Sequence, residues 1–146
     1  MANEAVNYPY CPPTSGDHVN AAARGPIPAA VYPPNEERTP TGWVHNLEHG
    51  WVVLLYKCPG GAAGGEGCPS QTELDEMRAW FDQAPPPPLS SCTKKVLVAR
   101  FDDMTTQYAL LSWGRAYLFE EFDLDTANTF AEQWMEHEAA PEQTSC

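Results

Sequence analysis

Positive charge is what this sequence has least of: 8 Lys and Arg stand against 20 Asp and Glu, a formal charge of −12. Such a chain repels phosphate backbones and anionic lipid headgroups, so nucleic acid is excluded as a partner. Histidine is scarce as well, at four residues. No apolar run has the length of a transmembrane helix, and no membrane insertion is expected of this segment. The start, Met1-Ala2-Asn3-Glu4-Ala5, lacks both the basic beginning and the apolar stretch of a secretory signal. None of the five cysteines forms a C-x-x-C pair, which argues against a thioredoxin-like or zinc-ribbon role.

What the chain does contain is enough for one core. Its 146 residues suit a single domain, and five Trp argue for a folded chain despite fifteen Pro and ten Gly. Cys11, Cys58, Cys68, Cys92 and Cys146 lie in or beside segments rich in Pro, Gly and Ser, where disulfides tie loops down. An oxidising, extracytoplasmic compartment is therefore expected: periplasmic, secreted or membrane-tethered, with any leader or lipid anchor absent from this sequence. Four paired cysteines allow three connectivities, and Cys146 is expected to be the one left free or paired between chains.

Residues 1–42 read as an irregular arm packed on the domain, since Pro9, Pro12, Pro13, Pro26, Pro28, Pro33, Pro34 and Pro40 break helices and spoil central strands. Residues 43–146 then form the core. Trp51 to Tyr56 is a continuous apolar run, short enough for a strand buried on both faces. Ser70-Gln71-Thr72-Glu73 matches a capping box, and Leu74, Met77, Trp80 and Phe81 continue it as a helix that Pro85 to Pro88 terminate. Val96 to Ala99 is a second strand. Tyr108 to Trp113 and Ala116 to Phe119 form a hairpin through Gly114-Arg115. Asp123 or Asp125 caps a last helix whose Ala127, Phe130, Ala131 and Trp134 share one face, with Met135 and His137 towards its end. The predicted fold is α+β: a mostly antiparallel sheet of about four strands with two helices packed on it and a long Pro-rich N-terminal arm.

Two of the four histidines fall in Trp43-Val44-His45-Asn46-Leu47-Glu48-His49-Gly50-Trp51. As a bare pattern this is H-x-x-E-H, which on a helix sets two imidazoles one turn apart with a glutamate able to act as general base for zinc-bound water. Gly50 and the β-rich run behind it argue instead for a turn, with the remaining ligands supplied from elsewhere. His18, at the end of the rigid segment Pro12-Pro13-Thr14-Ser15-Gly16-Asp17-His18, is the expected third ligand, and Met104, in a polar loop, the fourth. Three imidazoles with a thioether favour copper over zinc, and Glu48 then supports an imidazole N–H without touching the metal. The expected function is copper handling or copper redox chemistry. Two alternatives stand beside it, a zinc-dependent hydrolase with Glu48 as base and a binding module without metal chemistry; for these histidines and Met104, strand capping and ordinary packing are the corresponding structural roles.

The segments Pro12 to His18, Val44 to Gly50, Ser112-Trp113-Gly114-Arg115, Phe122-Asp123 and Pro141-Glu142 resemble, in the same order, those of the bacterial domain-of-unknown-function 3105 family. The likeness spans roughly residues 8 to 142. It implies an exported or membrane-tethered bacterial domain and no particular reaction. His18, His45, Glu48, His49, Met104, Trp113 and Arg115 are the positions that match the family's motifs.

Overall fold

A computed structural model describes residues 11–16 and 26–146. In chain order it contains α1 (Pro40–Glu48), β1 (Val52–Tyr56), α2 (Gln71–Gln83), β2 (Val96–Arg100), β3 (Tyr108–Ser112), β4 (Arg115–Phe119) and α3 (Leu124–Trp134). The strands form one sheet in the order β2-β1-β3-β4. The α+β class is as expected, but the sheet is mixed and the helices are three. β1 and β2 run parallel because the α2 crossover joins them, while β1–β3 and β3–β4 are antiparallel.

The additional helix is α1, and it corrects the reading of Pro40 as a breaker. Proline stands in the first turn, where its missing N–H forfeits no bond and its fixed φ suits the helix. The helix thus crosses the expected boundary at residue 42. It stops where His49 caps it, its N–H reaching the Asn46 and His45 carbonyls, and Gly50 takes φ +85°. β1 begins two residues later.

Alternation along the strands divides the core into two layers. Val53, Leu55, Leu97, Ala99, Ala109 and Leu111 face α1 and the arm, packing with Trp43, Val44, Leu47 and Ile27. Val52, Leu54, Val96, Val98, Tyr108 and Leu110 face α2 and α3, packing with Met77, Trp80, Ala127 and Phe130. Every residue of β1 is buried, as expected for a strand covered on both sides. The capping box forms on α2, with the Glu73 N–H donating to Ser70 Oγ and the Ser70 N–H to Glu73 Oε1. Asp123 caps α3.

The arm has a structural task at one sheet edge. Tyr32 N–H donates to the Val98 carbonyl and Val98 N–H to that of Ala30, so residues 30–32 cover the outer side of β2. Further back, the Thr14 carbonyl accepts from Gly114 N–H, which joins the PPTSG segment to the β3–β4 turn. At the opposite edge, β4 is largely exposed.

Cys58 pairs with Cys68 and Cys92 with Cys146, leaving Cys11 as the free thiol. This overturns the expectation that Cys146 is the unpaired one. The chain end folds back beneath α1, and that brings residue 146 to Cys92. Closing so long a loop contributes about 4 kcal/mol in the chain-entropy account. Among the described residues no helix is long and apolar enough to cross a membrane.

Candidate metal centre

α1 brings together the two histidines of the H-x-x-E-H run. A spacing of four residues sets side chains one above the other on a helix, and the rings of His45 and His49 meet edge to face with centroids 4.6 Å apart. His45 is buried, with 4% of its surface exposed, while the His49 side chain retains 12%. The expected turn geometry is therefore corrected to a helical one, ending at His49 as its cap.

A third donor arrives from the C-terminal segment. Glu142 Oε2 lies 3.0 Å from His49 Nε2, and one ligand atom from each of His45, His49 and Glu142 falls within 4.8 Å of the others. Metal–ligand bonds of about 2.1 Å need donor atoms roughly 3.0–3.5 Å apart, so the three side chains would have to draw closer to share an ion. Glu142 is half-exposed, and the site opens to solvent on its side. His49 Nε2 and the Glu142 carboxylate are within hydrogen-bonding distance of one another. His49 Nδ1 is shut off from solvent and makes no hydrogen bond of good geometry among the described residues.

Electrostatics keep the His49 imidazole below its ordinary pKa. Burial is the main cause and neighbouring His45 adds to it; Glu142 and the nearby Cys146 backbone act in the opposite direction without prevailing. The neutral ring has a lone pair to offer.

The main chain around this triangle is held by groups that read as ordinary in the sequence. Lys95 is fully buried and donates to the His49 carbonyl at 2.7 Å, to Glu136 Oε2 at 2.8 Å and to the Gln143 carbonyl at 2.9 Å. All three ammonium donors are thereby used, and one side chain ties both ligand-bearing segments together. Glu142 N–H donates to the Glu48 carbonyl and Glu136 N–H to that of Gly50. Burial opposes ionisation of Glu136, but bonds from Lys95, Ser90 and the Leu89 N–H outweigh it and hold the carboxyl below its usual range.

Asn46, Gly50 and Glu48 each have a place in this arrangement. Asn46 accepts from Ile27 N–H at 2.9 Å and donates to the Ile27 carbonyl at 2.8 Å, fastening the arm to α1. Gly50 is required by contact: a Cβ there would stand 2.8 Å from Glu136 Cα and 2.9 Å from the Gln143 carbonyl. Glu48, half-buried, closes the helix, and its carbonyl positions Glu142.

Of the expected ligands, His45 and His49 come together. His18 lies outside the described residues. Met104 is buried in the apolar layer that also holds Trp43, Val44, Leu47 and Phe101. Glu142 was legible only as part of the Pro141-Glu142 segment, and nothing in local spacing links it to α1. Lys95 and Glu136 carried no signal, since a Lys ahead of a strand and a Glu after a helix are usually solvated.

A family model described as "Protein of unknown function (DUF3105)" matches residues 1–146. No curated protein and no solved structure matches the chain.

Proposed function

Because the chain belongs to the DUF3105 family, whose description names no reaction, we propose its function from its own residues: it binds one transition-metal ion through His45, His49 and Glu142. The observation that carries this reading is the convergence of two imidazoles and a carboxylate within 4.8 Å, from segments held together by a buried lysine. Copper is the proposed ion. Nitrogen and oxygen donors suit Cu(II), and divalent affinities peak at copper for a given set of such ligands. Glu142 replaces Met104 in the proposed inner set, which moves the preference from Cu(I) towards Cu(II); His18 remains a proposed further ligand. The half-exposed carboxylate supports an exchangeable ion, as copper handling requires, and leaves positions open for redox chemistry.

Two disulfides support an extracytoplasmic setting for this activity. The helical placement of His45 and His49 also favours a second reading, a zinc-dependent hydrolase in which Glu48 activates metal-bound water. Metal analysis separates the two. Protein purified without a His tag is loaded with Cu(II) or Zn(II), desalted and assayed for bound metal and for peptide and ester hydrolysis. Stoichiometric copper without hydrolysis supports copper handling, zinc-dependent turnover abolished by Glu48→Gln supports the hydrolase, and no retained metal rejects both.

A further inference from the structure

The open edge of the sheet carries a second site, on the face opposite α1. α3 packs over β3, so the side chains of β4 that point the same way are only partly covered. Between β4 and α3 this leaves an open groove of about 520 Å³. That volume lies within the range of small-molecule pockets.

Its walls follow from two periodicities. Arg115 and Tyr117 alternate onto the α3 side of the strand, and Thr129, Phe130, Gln133 and Trp134 recur at three- and four-residue spacing along the helix. Phe130 and Trp134 supply apolar surface, with ring centroids 6.4 Å apart. Arg115 sits over the indole, its guanidinium carbon 3.5 Å from the centre of the Trp134 ring. Among the described residues no carboxylate lies within ion-pair distance of it, although Asp125 belongs to the same wall.

Those facts restrict the ligand. The occupied indole face is not free to stack on a sugar ring, and the guanidinium above it repels a cation. A polyanion is disfavoured by the single positive charge, by Asp125 and by the chain's charge of −12. A guanidinium fixed by stacking keeps its N–H edge for one planar anion, and the pocket beside it is aromatic. We propose that the β4–α3 pocket binds a small organic acid, with its carboxylate on Arg115 and its apolar body against Phe130, Trp134 and Tyr117.

The test uses the full chain labelled with nitrogen-15 and three probes, phenylbutyrate, indolepropionate and octanoate, each compared with its uncharged primary amide. At least one acid is expected to shift the amide signals of β4 and α3 with a dissociation constant below about 1 mM, and its amide to bind about tenfold more weakly or worse. Arg115→Gln should remove the preference for the acid, while Arg115→Lys retains part of it. Both substitutions are at an exposed position and leave the fold intact, which the unchanged signals of β1 and β2 would verify. Absence of shifts with all three acids at about 5 mM, or equal binding of acid and amide, overturns the proposal.

Discussion

Lys95 and Glu136 form an ion pair of 2.8 Å in which neither side chain has any solvent exposure. The pair sits where α1 ends, β2 begins and the C-terminal segment returns, so it holds the proposed metal ligands indirectly through main-chain contacts. Breaking such a pair from one side leaves an uncompensated buried charge. Lys95→Met is expected to lose about 3–5 kcal/mol of stability by chemical denaturation and to weaken metal binding as well. A loss under about 1 kcal/mol would show that the pair is not structural.

Gly50 is expected to resist substitution for two reasons, its φ of +85° and the backbone 2.8 Å from where a Cβ would stand. Gly114 shares a positive φ of 71° but has open space around it. Gly114→Ala should therefore cost about 1 kcal/mol from strain alone, and Gly50→Ala clearly more, with displacement of Glu142 and a lower metal affinity. Equal thermal shifts for the two variants would rule out the close approach as the cause.

Acid should destabilise the protein. The Tyr108 hydroxyl holds Glu73, and Arg100 holds Asp102, below their ordinary pKa values, and Glu136 is depressed too because its bonds from Lys95, Ser90 and Leu89 exceed the opposing effect of burial. A depressed folded-state pKa means that the unfolded chain binds more protons between the two values, so stability rises with pH there. The contribution is complete above the unfolded values of 4.5 for Glu and 3.8 for Asp, and is lost as pH falls through the folded ones. Denaturation midpoints should begin to fall as pH drops through about 6.5, where the depressed His49 leaves the unfolded chain binding more protons, and fall further below pH 4.5, this second decline being less steep in Tyr108→Phe, which frees Glu73 from its principal partner.

The Cys92–Cys146 disulfide fastens the segment that carries Glu142. The double variant Cys92→Ser/Cys146→Ser should lose about 2–4 kcal/mol and bind metal more weakly. Cys58→Ser/Cys68→Ser, in the glycine loop, should lose stability with metal affinity unchanged. Equal metal affinities in the two double variants would separate Glu142 from the site.

Local signals made much of the fold legible. The β1 run, the Ser70–Glu73 capping box and the Gly114 turn each involve residues close in sequence. The α1 helix is hidden in the sequence because proline ordinarily breaks helices, whereas Pro40 occupies the first turn, and because a glycine before a β-rich run argues for a turn, whereas Gly50 merely ends the helix. The candidate site was half legible: His45 and His49 stand out as a pair, but Glu142 reaches them only because the chain end returns beneath α1. That return depends on Lys95, Glu136 and Cys146, whose burial and pairing no spacing rule reveals.

The most direct test of metal binding by His45, His49 and Glu142 is electron paramagnetic resonance of the untagged protein loaded with Cu(II). One copper per chain is expected, with couplings from imidazole nitrogens, one coupling lost in His49→Gln and an altered oxygen environment in Glu142→Ala. Copper that is not retained, or a spectrum unchanged by both substitutions, would contradict metal binding by these residues.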